Sequence, residues 1–228
     1  MKRGFKIIIT SLFLASAYNA NAEVSYTVTF VSDYVFEGVT QTMEDPALQG
    51  SIDYSNDIGF YAGAWASNVD FGGDAEGLEL DLYFGYSAEV NSNLAFDIGF
   101  VDYVYLNDDN DGFDGYDYQE IYGSLTFQES TTLSAWLADD DEAFGGSSIR
   151  LKVAHSISLV DEYSLNISYH HWKTKWDMWG GKDNYGAYQI GLSKSFDEFD
   201  IELNYSDTNI DDWETAEEGV YFTIGKSF

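Results

Sequence analysis

Residues 78–87 set the problem for the whole chain. Leu78, Leu80, Leu82, Phe84 and Tyr86 fall on one parity, and Glu79, Asp81, Tyr83, Gly85 and Ser87 on the other. Alternate side chains of an extended strand point to opposite faces of a sheet, so this stretch predicts a strand with one apolar and one charged face. The same alternation returns along the sequence. Val24, Tyr26, Val28 and Phe30 oppose Ser25, Thr27 and Thr29, and Leu48, Ile52 and Tyr54 oppose Gln49, Ser51 and Asp53. Later apolar sets include Phe96, Ile98 and Phe100, then Ile149, Leu151 and Val153, then Ile201, Leu203 and Tyr205. Between 59 and 71 the parity stays open, because Tyr61 and Trp65 compete with Phe60, Ala62 and Ala64. A parity slip near Asp102 predicts a bulge.

The parity opposite the apolar one carries Asp53, Glu79, Asp81, Asp97, Glu120, Arg150, Lys152, Asp200 and Glu202. A dry core does not accept unpaired charges on that scale, so this parity faces water. A soluble barrel or sandwich would bury its apolar parity instead. Here lipid is what remains for the apolar face. The connections carry a second signal, because they sort by length. Those near 55–58, 90–93, 128–131, 160–163 and 197–198 are short, whereas 37–46, 72–77, 106–116, 139–147, 173–184 and 207–217 are longer and polar. Short turns at one end and long loops at the other are the layout of outer-membrane barrels, which have an even strand number. The fold predicted is all-β: a transmembrane, antiparallel, up-and-down β-barrel of about 12 strands with both termini on the periplasmic side. Eighteen Tyr, 16 Phe and a single Pro suit such a sheet, since Pro removes a ladder donor.

The start of the chain predicts export. Lys2, Arg3 and Lys6 precede an apolar run from Ile7, and Ala20-Asn21-Ala22 has the small-x-small form of a cleavage site. Residues 1–22 are therefore expected to be a cleaved signal peptide, leaving 23–228 as a single barrel domain. The apolar run is too short for a membrane-spanning helix. Ten basic against 40 acidic residues give a formal net charge of −30, which excludes nucleic acid as a partner. No cysteine is present, so stability must come from pairing and burial.

The last strand, 219–228, puts Val220, Phe222, Ile224 and Phe228 on its apolar side. An aromatic residue ending such a strand resembles the sorting signal of outer-membrane barrels. Phe222, Ile224 and Phe228 are the candidate assembly signal, read by the barrel-assembly machinery. Other stretches carry a wider resemblance. They are Ser32-Asp33-Tyr34-Val35-Phe36, Gly38-Val39, Gln41-Thr42, Asp45 through Gly50, Gly59 through Gly63, Ser67-Asn68-Val69, Glu79-Leu80-Asp81, Glu120 with Tyr122-Gly123, Tyr205 through Thr208, and Lys226-Ser227-Phe228. Together these resemble the TorF family of proteobacterial porins, also described as a Gcw-type domain of unknown function. The resemblance implies the outer membrane of a Gram-negative bacterium, a porin-like role and no catalytic residues. The chain departs from the family at Glu37, where a basic residue is expected, and in its acidic 107–117 loop.

Six residues are candidates for lining a pore: Asp33, Glu79, Asp81, Glu120, Arg150 and Lys152. Each falls near the outer-mouth end of its strand, so they should share one height and form a constriction, acidic on one wall and basic on the other. The alternative is that Arg150 and Lys152 brace the wall by pairing with the carboxylates. A ring of carboxylates favours cations. Asn107, Asp109 and Asp111 place oxygen ligands at alternate positions before Gly112, but Tyr118 stands where an EF-hand needs Glu. A loosely bound Ca2+ or a solvated acidic loop both fit, and no other cofactor is implied. His155, His170 and His171 invite a lipase-type reading, yet no Ser sits on the same parity near His155 or His171. Interfacial histidines beside a girdle of Trp172, Trp176 and Trp179 account for that region. The function expected is passive diffusion of small solutes, cation-preferring. A non-conducting structural or adhesive barrel is the alternative, and an outer-membrane lipase-type enzyme the third. Expected partners are outer-membrane lipid, lipopolysaccharide and the assembly machinery, besides the solutes.

Overall fold

In the computed structural model, which describes residues 23–73, 75–106, 116–139 and 146–228, the alternating stretches are strands. In chain order they are β1 (Glu23–Val31), β2 (Val35–Phe36), β3 (Val39–Thr40), β4 (Ala47–Ser55), β5 (Phe60–Asp70), β6 (Glu76–Asn91) and β7 (Leu94–Leu106). They continue with β8 (Tyr118–Phe127), β9 (Thr131–Ala138), β10 (Ser148–Ser158), β11 (Tyr163–Thr174), β12 (Asn184–Ser195), β13 (Asp200–Thr208) and β14 (Gly219–Ser227). β2 and β3 pair only with each other; the described residues of the rest form a closed antiparallel barrel of twelve strands. β14 closes it on β1, with Val28 opposite Lys226 and Phe30 opposite Ile224. Closure satisfies every strand edge within the sheet, the condition for a sheet to cross lipid.

The exterior is the apolar parity. Phe84, Ile98, Ile121, Leu137 and Leu203 are each more than half exposed on a surface that has few charges. Aromatic pairs bridge adjacent strands on this face: Phe84 with Phe100 at 5.5 Å, Phe60 with Tyr86 at 5.0 Å and Phe30 with Phe222 at 6.0 Å. An apolar belt of this extent would aggregate in water. Around a closed barrel it is the lipid face of an outer-membrane protein. Phe222, Ile224 and Phe228 all lie on it.

β5 resolves its competing parities in favour of an inward Tyr61 and Trp65. The Tyr61 hydroxyl finds polar partners only inside, donating to Asp97 Oδ1 at 2.8 Å and meeting the Tyr122 hydroxyl at 2.5 Å. Phe60, Ala62 and Ala64 therefore face lipid. The bulge expected near Asp102 is not there. Register runs unbroken through Leu82–Asp102 and Asp102–Gln119, and the shift in the β6–β7 pair lies at Glu89–Asn91, at the opposite end. Asp102 keeps its outward parity because Gln119 Nε2 donates to its Oδ1 at 2.9 Å.

The turns joining β4–β5, β6–β7, β8–β9, β10–β11 and β12–β13 are short, and the opposite end carries the longer connections. Asn107, Asp109 and Asp111 lie outside the described residues. The first long loop, 32–46, turns into the barrel. Its β2–β3 hairpin pairs Val35 with Thr40 and Phe36 with Val39. The two tip residues, Glu37 at φ 48° and Gly38 at φ 88°, both lie in the left-handed region, as a tight type I′ hairpin turn demands. Gly38 is needed twice over, because a Cβ there would come within 2.7 Å of Thr208 Cγ2 and 2.8 Å of Ala187 Cβ on the wall. Glu37 has no such excuse, and its side chain explains why it is there.

Candidate channel constriction

The charged cluster is built by register. On β10 the inward residues Arg150 and Lys152 stand beside inward residues of both neighbouring strands: Arg150 opposite Trp136 of β9 and Trp172 of β11, Lys152 opposite His170. The Arg150 guanidinium carbon lies 4.5 Å from the centre of the Trp136 ring, 5.3 Å from Trp172 and 4.7 Å from Phe36 of the loop hairpin. Planar guanidinium groups stack on aromatic faces, and this one is enclosed by three.

Glu37 descends from the loop into this basic cluster. His170 Nδ1 is 2.8 Å from its Oε2, Lys152 Nζ 3.2 Å from the same oxygen, and Arg150 Nη1 3.7 Å from Oε1. The Tyr185 hydroxyl donates to the Glu37 carbonyl oxygen at 3.2 Å. Burial by itself would push the Glu37 carboxyl up. Lys152, His170 and Arg150 together outweigh it and hold the group well below the usual carboxylate range. The strained φ of Glu37 thus sits where two cations, Lys152 and Arg150, and the His170 imidazole converge on one carboxylate.

The acidic wall faces it. Arg150 Nη2 reaches Glu120 Oε2 at 2.6 Å, and the Tyr103 hydroxyl donates to the same oxygen at 2.9 Å. From β7, the strand that also carries Tyr103, the Tyr105 hydroxyl donates to Glu79 Oε1 of β6 at 3.0 Å. Asp81 is 0% exposed, and among the described residues neither of its carboxylate oxygens has a hydrogen-bond partner. Asp33, at the root of the loop, accepts from the Thr40 and Thr42 hydroxyls and fixes the hairpin's base. Burial raises its carboxyl, an effect the two hydroxyls oppose. Below this tier Tyr61, Tyr122 and Asp97 form one hydroxyl–carboxylate group, and Asn166 Nδ2 donates to Glu202 Oε1 at 2.8 Å.

Glu79, Asp81, Glu120, Arg150 and Lys152 all project inward from the long-loop ends of their strands, whereas Asp33 pairs within the loop itself. At this height the loop covers the lumen, leaving Arg150 1%, Glu120 0% and Glu79 3% exposed. Arg150 pairs with Glu120 and approaches Glu37, so within this cluster the basic side chains brace the wall.

Sequence reasoning missed the partner, Glu37, which the alternation does not reach because it lies in a loop. It also misplaced the tryptophans. Trp172 and Trp179 are 2% and 4% exposed and pack inside, 5.3 Å apart and against Tyr185, while Trp176 is the exposed one. On β11, Tyr169 and His171 hold the outward parity, so Trp172 must share the inward parity of His170. Counting that parity through to residue 172 was the available signal. His155 stays outside, its Nδ1 2.9 Å from the Thr131 hydroxyl.

A family model described as a bacterial protein of unknown function, Gcw_chp, matches residues 15–228. The match carries the Gcw description of the earlier resemblance and not the TorF name. No curated protein matches the chain. Among solved structures, the KdgM porin is similar at a TM-score of 0.56 and 9% identity, covering 90% of this chain and 97% of that porin. The KdgM porin in complex with disordered oligogalacturonate matches at 0.56 and 8% identity, over 90% and 97%. The NanC porin matches at 0.55 and 8%, over 90% of this chain and 99% of its own. At such identities the similarity is one of fold.

Proposed function

The chain belongs to the Gcw_chp family of bacterial proteins, and from that premise and its architecture we propose that it is an outer-membrane channel for passive diffusion of small solutes, exported behind residues 1–22 as a leader. One observation carries the reading: a closed barrel with an apolar exterior encloses a charged lumen narrowed by an inward-folded first loop. A barrel needed only as a scaffold has no use for charges on its inner wall.

The channel prefers cations or small neutral solutes. Around the constriction, Glu37, Glu79, Asp81 and Glu120 outnumber Arg150 and Lys152, and the whole chain carries −30. Carboxylates lining a pore favour cations, and the surrounding negative field concentrates them, most strongly at low salt. Assembly proceeds through β14, with Phe222, Ile224 and Phe228 presented to the assembly machinery, and lipopolysaccharide surrounds the long-loop end.

Burial of Arg150, Glu120 and Asp81 under the loop favours a second reading, a non-conducting barrel whose interior is plugged. Single-channel recording in planar bilayers separates the two, and reversal potentials in a KCl gradient read the selectivity. Silence of the folded barrel would support the plug; anion preference would overturn the charge argument.

A further inference from the structure

We propose that Arg150, Lys152 and His170 form a carboxylate-binding site in the lumen, that Glu37 is its resident occupant, and that a small carboxylate-bearing solute competes for the site and so releases the first loop. These three side chains, two cations and an imidazole, are fixed by the barrel itself, through the Lys152–His170 register and the tryptophans on either side of Arg150. Their shared occupant is not part of the barrel. It arrives on a hairpin whose two strands have two residues each and whose tip holds Glu37 at a φ of 48°. A site built by the wall and filled by a loop has the form of a receptor with a tethered ligand.

The occupant also fits incompletely. Arg150 Nε and His170 Nε2 are buried with no hydrogen-bond partner among the described residues, and the Nη1–Oε1 separation of 3.7 Å is too long for a hydrogen bond. Arginine recognises carboxylate best through two parallel N–H donors, which Glu37 does not engage. A free carboxylate, unconstrained by the hairpin, can take that geometry. When the hairpin leaves, Phe36 goes with it, but Trp136 and Trp172 remain as flat apolar walls beside the site. Glu120 continues to neutralise part of Arg150, so the charge left over suits a monoanion.

Glu37 also decides selectivity on this account. Seated, it cancels the basic cluster and leaves the acidic wall to favour cations; displaced, it uncovers an anion site. The inference rests on the lumen being reachable by solutes, and its test reads binding without current, so failure of conduction and failure of binding are separate results.

The full chain, folded in detergent, is titrated with gluconate, with its neutral counterpart glucose and with inorganic phosphate, following tryptophan fluorescence, since Trp136 and Trp172 flank Arg150. A site occupied by its own ligand nine-tenths of the time binds a competitor about 10-fold more weakly. Glu37→Gln should therefore gain at least about 10-fold in gluconate affinity, with glucose unaffected, and adding Lys152→Gln should abolish the gain. Equal gluconate affinity with and without Glu37 overturns the proposal, as does equal binding of glucose; tighter binding of phosphate than gluconate overturns the carboxylate assignment. Barrel folding is checked by mobility of the unheated protein on gels. Should Glu37→Gln fold poorly, Glu37→Gly removes the same carboxylate while suiting the positive φ, and must show the same gain.

Discussion

Replacing Arg150 by Gln tests whether the constriction is a single electrostatic unit. Arg150 is 1% exposed, reaches Glu120 at 2.6 Å and stacks against Phe36, Trp136 and Trp172. Removing one partner of a buried pair costs about 3–5 kcal/mol, because the other charge stays buried. Glu37 keeps Lys152 and His170, so the stranded group is Glu120, left with the Tyr103 hydroxyl. Lost cation–π contact adds roughly 1–2 kcal/mol. Arg150→Gln should therefore destabilise the barrel by about 4–7 kcal/mol, the sum of those two effects. Glu120→Gln in the same chain removes the stranded charge and should recover at least about 2 kcal/mol, a coupling in the range expected of contacting residues. Urea unfolding of the protein in lipid vesicles, followed by tryptophan fluorescence, measures both. Additive losses in the double variant would refute the pairing, and a loss under about 1 kcal/mol for Arg150→Gln would mean that the cluster is solvated.

Ile224→Asp, on the lipid face of the closing strand, should slow assembly and destabilise the barrel by up to about 2 kcal/mol, less than Lys or Arg at mid-membrane; normal insertion would place residue 224 away from lipid. Deleting Phe228 should likewise lower the yield of heat-modifiable barrel in outer-membrane fractions. Glu79→Gln with Asp81→Asn should weaken cation preference in reversal potentials, and Lys152→Gln should strengthen it. The loop clasp should be insensitive to mild acid. Glu37 has a depressed carboxyl, so its contribution is complete above its ordinary 4.5 and is lost only as pH falls through a much lower folded value. The stability lost on Glu37→Gln should therefore not shrink between pH 7 and 5, as read by urea unfolding of both proteins; a difference that vanishes by pH 5 would refute the depressed carboxyl.

Much of the barrel was legible because lipid leaves one solution to a strand with a charged face. Leu78 through Tyr86 against Glu79 through Ser87 specifies both faces without help from any neighbour. Alternation failed where both parities were large or apolar, as at Tyr61 and Phe60. There only the hydroxyl partners Asp97 and Tyr122, on other strands, decide the matter. Asp102 misled for the opposite reason: a polar residue on the outward parity looked like a register slip until Gln119 across the pair accounted for it. The candidate site divides the same way. Glu79, Asp81, Glu120, Arg150 and Lys152 were placed by periodicity, since they sit on strands. Glu37 was visible only as an odd residue in a loop. Which wall a loop residue touches depends on contacts far along the chain, and no local period encodes them.

That division extends to energetics. The barrel is held by backbone ladders that run round a closed sheet. The first loop is held differently. Holding a non-glycine residue at a φ of 48° costs on the order of 1–3 kcal/mol, and the Glu37 side chain offsets this through Lys152, His170 and Arg150. Substituting an uncharged residue at 37 removes that offset and keeps the strain, so the hairpin should loosen while the wall stays closed. Loop position and barrel integrity are therefore separable. A constriction whose cover can move without unfolding the wall is suited to regulate passage, and Glu37 is the residue on which that movement turns.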